Sequence, residues 1–303
     1  MRQISRLIRL PSFKWRIRQL RIRLNTRKAL RQVNRPLVLP EARAHGLGRP
    51  LIVSLTSYPA RFDKLRMTLR SLIEQDVRPD YIMLWVDSAH EKAIPQEVWA
   101  LCHAGVNICF HNDIGPATKL LPALKEYPEH FIITADDDLY YPPDWIGRLI
   151  DAYDKDSPSI VCLRAHLAMV GDDGALLPYR RWDRRTDQQQ ANEKTQYIFP
   201  TGVGGVLYPP GCFSSEVFDE KTLAELTPKA DDVWFFWMAR LAGTRQTRAP
   251  GRMELINWPG SQGAGLFHSN VSQDGNDSQI SAMEKRYGLL SNSRIAAIEK
   301  KSG

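Results

Sequence analysis

The stretch Phe131–Pro143, FIITADDDLYYPP, decides how the rest of this 303-residue chain is interpreted. It opens with Phe131–Thr134, a short apolar and β-branched run that is typical of a strand buried on both faces of a parallel sheet. Three consecutive carboxylates, Asp136–Asp138, follow this strand, and two prolines then prevent its continuation. Ligands of open α/β sheets bind where the parallel strands end. The stretch therefore predicts an α/β fold with an acidic ligand site at the end of one strand.

The three adjacent carboxylates repel one another and would reduce stability without a positive partner among them. A hard divalent cation that carries phosphate oxygens suits oxygen-only ligands of this kind. We therefore interpret Asp136–Asp138 as part of a site for Mn²⁺ or Mg²⁺. The alternative is a solvated acidic turn in which an aspartate caps the next helix, because such turns are common.

The composition is that of an ordinary globular protein. Apolar residues make up 43% of the chain and charged residues 25%, and the length suffices for one large α/β domain or two small ones. The four cysteines form no CxxC pair and do not alternate with histidine at zinc-site spacing, so we interpret them as reduced core thiols of a cytoplasmic protein. The sequence predicts neither a membrane-spanning segment nor a signal peptide.

Positive charge is concentrated at the N-terminal end. Residues 1–35 hold 12 lysines and arginines and no acidic residue, whereas the net charge of the whole chain is +7, so the remainder is net acidic. Phe13, Ile17, Leu20 and Leu24 recur in this segment at helical spacing. We interpret the segment as a basic amphipathic helix on an anionic membrane surface. Nucleic-acid binding and a solvated extension are the alternatives, and the large apolar side chains favour attachment to a membrane or a partner over nucleic-acid binding.

The rest of the chain alternates between strand and helix patterns. Residues 36–50 are predicted to be a linker, 51–290 one catalytic domain and 291–303 a C-terminal tail, with Arg180–Gln196 as a mobile surface loop. The alternation with short connections predicts a mostly parallel sheet covered by helices on both faces. The predicted strands are Leu51–Leu55, Tyr81–Val86, Val106–Phe110, Phe131–Thr134 and Ile160–Arg164, and the predicted helices are Phe62–Gln75, Trp145–Tyr153, Ala230–Leu241 and Ser278–Tyr287.

Five motifs together resemble one known group of enzymes. They are SLTSYPAR after the first strand, SLIEQ at the end of the first helix, LWVD at the second strand, then GPATKL and TADDDLYYP. Their order resembles the nucleotide-sugar glycosyltransferases of the GT-A (Rossmann-like) fold, in particular the bacterial family-2-like enzymes, over roughly residues 50–290. One departure is Asp87–Ser88–Ala89 at the second strand end, where family 2 usually has Asp-Asp-Gly-Ser.

The resemblance implies a metal-dependent enzyme that moves a sugar from a nucleotide-sugar donor to a glycan or lipid-linked acceptor. Asp138 would ligate the metal, Asp136 would contact the metal or the ribose, and Asp137 would take either role. His268, in GLFHSN, is similar in position to the histidine that completes the metal site of some GT-A enzymes, although a surface histidine is equally consistent with the sequence. The cation would neutralise the two phosphates of the leaving nucleoside diphosphate.

Residues near the ends of the first strands are candidates for the donor site. Thr56, Tyr58 and Arg61 follow the first strand, where Tyr58 would stack on the base and Arg61 would reach a phosphate. Asp87 would accept hydrogen bonds from the base or ribose, and Lys119 would contact the diphosphate or the donor sugar. The alternatives are loop packing for the first three residues, a turn or helix cap for Asp87, and simple solvation for Lys119.

Asp231 and Asp232, in ADDVWFFW, resemble the acidic pair that supplies the base of inverting GT-A enzymes, and Asp232 is the better match. The alternative for either is a helix cap, because aspartate at a helix start stabilises the free backbone N–H groups and the dipole. One aromatic ring of Trp234–Trp237 would face an acceptor sugar. Thr201–Gly205, TGVGG, would let the backbone approach a substrate closely or would form a tight turn.

We therefore predict an inverting glycosyltransferase of bacterial surface polysaccharide or lipopolysaccharide synthesis, peripheral on the inner face of the cytoplasmic membrane and without a nucleic-acid partner. Two other classes stay open. A sugar nucleotidyltransferase would need a glycine-rich basic loop after the first strand, and SYPAR supplies one arginine and no glycine. A non-catalytic membrane-attached binding protein on a GT-A scaffold is disfavoured because both acidic motifs are intact.

Overall fold

The computed structural model describes residues 13–39, 41–192, 195–261 and 275–290, which form an α/β fold around a seven-stranded sheet. Across the sheet the order is β7-β5-β6-β4-β1-β2-β3, in which β6 runs antiparallel to both neighbours and the other pairs are parallel. The predicted α/β class is confirmed. The strands are β1 Leu51–Thr56, β2 Tyr81–Val86, β3 Val106–Phe110, β4 Phe131–Thr134, β5 Ser159–Cys162, β6 Val206–Tyr208 and β7 Arg245–Arg248.

Helices cover both faces of this sheet, as the strand alternation along β4 illustrates. Ile132 packs into one core cluster, with apolar side chains of the C-terminal helices, whereas Phe131 and Ile133 pack into a second cluster on the opposite face. All four residues of β4 are buried, so the predicted central strand is confirmed. The helices are α1 Phe13–Val33, α2 Phe62–Ile73, α3 Gln96–Trp99, α4 Leu121–Glu126, α5 Trp145–Asp151, α6 Glu220–Leu226, α7 Asp231–Leu241 and α8 Gly275–Tyr287.

A small antiparallel sheet corrects the prediction of a surface loop at Arg180–Gln196. Within that stretch Asp183–Arg184 is an edge strand, and Trp182 is buried and donates its indole N–H to the carbonyl of Leu177 at 2.6 Å. The prediction was wrong because the polar side chains of an edge strand resemble those of a loop, and a single buried tryptophan anchors the segment. The three strands, in spatial order, are Asp183–Arg184, Ala165–Met169 and Gln196–Pro200.

Helix α1 is docked on the α/β domain through its C-terminal half. Ala29 and Val33 are buried on the domain side of the helix. One turn or two earlier, the Arg21 guanidinium and the Asn25 amide donate to the Glu254 carboxylate at 3.1 Å and 2.6 Å. The predicted N-terminal helix is thus confirmed, and its C-terminal end packs against the surface of the domain. The buried side chains pack against Tyr140, Ile256 and Trp258.

The N-terminal half of α1 presents an uncovered apolar stripe. Ile17, Leu20 and Leu24 share one helical face, and each side chain is more than half exposed. Phe13, the remaining member of the predicted stripe, begins the helix, and its side chain lies outside the described part. No helix in the described ranges is long and apolar enough to cross a membrane.

Candidate active site

Asp137 anchors the acidic loop at the end of β4. Its side chain is almost fully buried, and both carboxylate oxygens are engaged: Ser57 Oγ donates to Oδ2 and Arg61 Nη1 donates to Oδ1, each at 2.6 Å. Its backbone carbonyl accepts the Thr68 hydroxyl at 2.8 Å. These contacts come from the turn after β1 and from α2. They favour an anchoring role for Asp137 over the predicted contact with metal or nucleotide.

Asp136 and Asp138 flank this anchor and are more open to solvent. Asp136 Oδ1 lies 3.5 Å from Lys119 Nζ, and Asp138 Oδ2 lies 3.3 Å from Arg61 Nη1. Burial and the neighbouring Asp136 carboxylate raise the pKa of Asp138 to about 6, against the opposing effect of Arg61. The loop therefore holds more negative charge than its two cations neutralise, and an additional cation would stabilise it.

The donor set fits a hard divalent cation, although it is not a complete cage. Within the described ranges, no group of three or more His, Cys, Asp or Glu side chains is arranged to hold a metal ion. His268, the third predicted ligand, lies outside the described residues. Mg²⁺ in nucleotide enzymes is commonly held by one or two carboxylates together with phosphate oxygens and water. Asp136 and Asp138 would supply those carboxylates if a metal binds here.

The predicted nucleotide contacts after β1 separate into two groups. Thr56 donates its hydroxyl to the Trp85 carbonyl at 3.0 Å, and Arg61 is held by the acidic loop, so both are occupied within the protein. Tyr58 is 40% exposed, with the Arg61 guanidinium 5.6 Å from the centre of its ring. Of these three side chains, Tyr58 is the most accessible, and its stacking on a base stays a prediction.

Asp87 fixes the turn after β2. Its Oδ1 accepts the backbone N–H of Ala89 at 2.8 Å, and its Oδ2 accepts that of Asp113 at 3.0 Å. These two hydrogen bonds lower the pKa of the Asp87 carboxyl below its ordinary value. The contacts match the structural alternative for Asp87, and they leave further lone pairs for a ligand. A contact with the base or ribose stays a prediction.

Lys119 joins the two acidic elements of the chain. Its Nζ lies 3.2 Å from Asp231 Oδ2 and 3.5 Å from Asp136 Oδ1, and the residue is buried. Burial alone would lower the pKa of Lys119, but the surrounding carboxylates raise it well above its ordinary value. The solvated alternative for Lys119 is therefore wrong. A buried lysine between carboxylates neutralises charge that the site would otherwise carry unpaired.

Asp231 and Asp232 occupy the first turn of α7, and neither is its N-cap. The N-cap is Ala230, without a side-chain cap hydrogen bond, so the capping alternative is wrong for both aspartates. Asp232 Oδ1 accepts the backbone N–H of Gly202 at 2.8 Å. Burial and the adjacent Asp231 charge raise the pKa of Asp232 to about 7, whereas Lys119 and the Gly202 hydrogen bond oppose this rise. A carboxylate with a pKa near 7 is suited to general-base work.

Only glycine fits at position 202, because the backbone there lies very close to the side chains of Asp232 and Lys119. A Cβ at this position would lie 2.8 Å from Asp232 Oδ1 and 3.0 Å from Lys119 Nζ. The TGVGG motif thus brings a backbone N–H to the predicted base, a role that the sequence signalled only as a glycine-rich run. Sequence reasoning also missed Ser57, although it lies within the SYPAR motif.

The four aromatic residues of Trp234–Trp237 are all buried in the core cluster behind α7. Two of them, Phe235 and Phe236, line a small pocket together with Asp232, so an aromatic contact with the acceptor stays a prediction. A cavity of about 790 Å³ lies elsewhere, between α1 and the domain, beside Lys28, Glu74 and Tyr140. Neither the acidic loop after β4 nor the acidic pair of α7 lines it. The convergence of charged groups, and not cavity size, locates the candidate active site.

The fold and these acidic elements define a glycosyltransferase of the GT-A class. The chain matches the model of glycosyl transferase family 2 over residues 55–207, about half of its length, and it belongs to that family. The match spans β1 to β6 and includes the acidic loop, so the predicted family and enzyme class are confirmed. A search of curated proteins finds no match.

Solved structures with a similar fold are distant in sequence. Staphylococcus aureus TarS residues 1–349 is 16% identical, with a TM-score of 0.47 over 84% of this chain and 75% of that one. The complex of the same TarS fragment with UDP gives 0.46 at 16% identity, over 68% of this chain and 59% of that one. A CMP:2-keto-3-deoxy-manno-octonic acid synthetase in complex with CTP has a TM-score of 0.40 and 12% identity. The match covers 69% of this chain and 94% of that one. In the UDP complex, this chain therefore spans less than two thirds of its neighbour.

Proposed function

We propose that this glycosyltransferase is a metal-dependent, inverting enzyme that uses a nucleotide-sugar donor and a glycan or lipid-linked acceptor. One observation carries the proposal. The acidic loop after β4 and the acidic pair of α7 are far apart in the chain, yet both lie within 3.5 Å of the same Lys119 Nζ. Sugar transfer from a nucleotide requires stabilisation of the leaving diphosphate and a base for the acceptor hydroxyl. The acidic loop would provide the first through a bound metal, and the acidic pair of α7 would provide the second.

The acidic loop forms the donor side of the proposed site. Asp136 and Asp138 would hold Mn²⁺ or Mg²⁺, which when bound acts as a Lewis acid on the diphosphate. Asp137 keeps the loop in place through Ser57 and Arg61. Tyr58, exposed after β1, would stack on the nucleobase. Each residue thus orients or neutralises the leaving group.

Asp232 is the proposed general base. The acceptor hydroxyl loses its proton to the Asp232 carboxylate while its oxygen attacks the anomeric carbon. The bond from that carbon to the diphosphate oxygen breaks on the opposite side, and the leaving group keeps the electron pair, so configuration inverts. The Gly202 N–H fixes one carboxylate oxygen, and Lys119 limits the rise in the pKa of Asp232, so that a useful fraction is ionised near pH 7.

We also propose that α1 places the enzyme on an anionic membrane surface. Its docked half fixes the helix to the domain, and its other half exposes Ile17, Leu20 and Leu24 beside many arginines. An apolar stripe with basic flanks suits the boundary of anionic headgroups and acyl chains. Together with the family, this supports work on surface polysaccharide or lipopolysaccharide at the inner face of the bacterial cytoplasmic membrane.

The test is calorimetric binding of UDP and GDP with and without Mn²⁺, followed by a hydrolysis screen of nucleotide sugars. Asp138→Ala should abolish metal-dependent nucleotide binding and donor turnover without unfolding the protein. Asp144→Asn removes an exposed carboxylate close by in the sequence and is the matched control, which should behave as wild type. Near-normal metal-dependent binding by Asp138→Ala would place the metal elsewhere.

A further inference from the structure

We propose that Arg164, Arg184 and Arg185 form an oxyanion subsite beside Asp232, so that the acceptor carries a phosphate or carboxylate group. This inference rests on the proposed function, because it assigns the substrate class of the Asp232 side of the site. The subsite is built on the small antiparallel sheet, and Arg184 lies directly opposite His166 in its strand pairing. Residues opposite each other in such a pair project from the same face.

Arg164 connects this cluster to the proposed base. Its Nη1 donates to Thr201 Oγ1 at 2.7 Å, and the next residue, Gly202, donates its N–H to Asp232. Tyr179 gives a second connection. Its ring centre lies 5.4 Å from that of His166, and burial and the Asp232 charge raise the pKa of its hydroxyl to about 12. The arginines therefore lie on the acceptor side, whereas the donor diphosphate belongs with the β4 loop.

The positive charge of the cluster is only partly offset, by the Asp232 and Asp136 carboxylates, which act to raise the pKa of Arg164. Among the described residues, no carboxylate forms an ion pair with any of the three arginines, and Arg164 Nε has no hydrogen-bond partner. Burial and the nearby Arg185 charge lower the pKa of Arg164 below its ordinary value. Arg164 is partly buried, whereas Arg184 and Arg185 are exposed. A partly buried guanidinium without a direct ion-pair partner is unfavourable, and a bound oxyanion would supply the bidentate partner that guanidinium groups prefer.

Arg185 is held in place at a conformational cost. It has a φ of 65°, the one positive φ of a non-glycine residue in the described part of the chain. Its backbone N–H donates to His166 Nδ1 at 3.1 Å, and burial and the three arginine charges lower the pKa of His166 to about 3. His166 is therefore neutral near pH 7, and its Nδ1 accepts this hydrogen bond. Backbone strain of this kind persists where surrounding structure enforces it, which is common at binding sites.

The experiment compares glucose, glucose 6-phosphate and glucuronate as probes, by calorimetry on the full chain with Mn²⁺ and saturating UDP or GDP, and again without nucleotide. We expect the charged probes to bind at least about tenfold more tightly than glucose, since hydrogen bonds to charged groups have that magnitude. The phosphate and carboxylate arms identify the preferred oxyanion. Arg184→Gln with Arg185→Asn should remove the preference, and asparagine tolerates the positive φ of residue 185.

Arg180→Gln with Arg181→Asn is the matched control, because it removes two exposed arginines of the same segment that do not adjoin His166. It should keep the preference. Equal binding of charged and neutral probes, no binding of either charged probe at millimolar concentration, or equal loss in both double variants would overturn the subsite. Nucleotide binding with Mn²⁺ is measured in the same samples, so a failure of the donor site is seen separately from a failure of the subsite.

Discussion

The carboxylates after β4 and those at the start of α7 share a lysine but have different surroundings. The β4 loop is fixed by side chains: Asp137 is held by Ser57 and Arg61, and Asp138 lies beside the same arginine. In α7, Asp232 is fixed by a backbone N–H and has no arginine partner among its described contacts. The comparison teaches that one residue type serves two tasks because its environment differs. The carboxylates beside Arg61 and Lys119 suit a cation, and the Asp232 carboxylate, with a pKa near 7, suits a proton.

Among the variants that distinguish the two acidic elements, Asp232→Asn should have the largest effect on the transfer rate. Asparagine keeps the size and the acceptor for the Gly202 N–H, but it does not take a proton from the acceptor. Transfer at saturating donor should fall by about 10²–10⁴-fold, while donor affinity stays near that of wild type. Asp231→Asn is the matched control and should cost much less in rate, acting through its ion pair with Lys119. If Asp231→Asn is the inactive variant instead, the two roles are exchanged.

Lys119→Met should destabilise both acidic elements at once, because Asp136 of the β4 loop and Asp231 of α7 lose the cation that they share. Removing one partner of a buried ion pair costs about 3–5 kcal/mol, so the melting temperature should drop clearly. Lys125→Met, an exposed lysine in α4, is the control and should be nearly neutral. Unchanged stability of Lys119→Met would mean that the lysine is solvated and does not join the two acidic elements.

The pH profile distinguishes the two acidic elements. The pKa of Asp232 is raised to about 7, so the ionised base forms, and transfer should rise, as pH increases through that value. A carboxyl with a raised pKa stabilises the fold below its unfolded pKa and loses that contribution as pH rises through 7. Asp232→Asn should therefore make stability less dependent on pH between about 4 and 7, and it should abolish the rise in activity between about pH 6 and 8. A wild-type rate that is flat across this range would contradict the assignment.

The smallest effect on catalysis is expected from substitutions in the N-terminal half of α1. Replacing Ile17, Leu20 and Leu24 by serine should leave turnover of a small acceptor unchanged but weaken binding to anionic vesicles. The remaining binding should decrease with salt, because exposed charges are screened beyond ~8 Å at physiological ionic strength. Co-sedimentation with vesicles measures this, and equal binding by wild type and variant would refute the membrane surface. Deleting residues 1–35 is a harsher test, since it also removes the buried Ala29 and Val33.

The sequence predicted the central strands and the position of the acidic loop because both depend on local pattern. The FIIT run is buried on both faces, and β2, β3 and β4 have the predicted bounds. Side-chain partners could not be predicted, since they depend on which chain segments meet. Lys119 was compatible with solvation until α7 and β4 were seen to enclose it, and Asp137 could not be distinguished from its neighbours before Ser57 and Arg61 were placed.

Two further differences have physical causes. The edge strand Asp183–Arg184 escaped prediction because polar edge residues carry no apolar alternation. The capping alternative for Asp231 failed because the helix begins at that residue, one position after the cap, and helix ends are the least certain feature of a pattern. His268 lies outside the described residues, so its ligand role stays a prediction.

The most direct test of the division between the two acidic elements is a crossed comparison of Asp138→Ala and Asp232→Asn. Metal-dependent nucleotide affinity and transfer rate at saturating donor are measured for both in the same buffer. We predict that Asp138→Ala loses nucleotide affinity and transfer together, whereas Asp232→Asn keeps the affinity and loses only transfer. Equal loss of affinity in both variants, or normal transfer by Asp232→Asn, would contradict the separate roles of the β4 and α7 carboxylates.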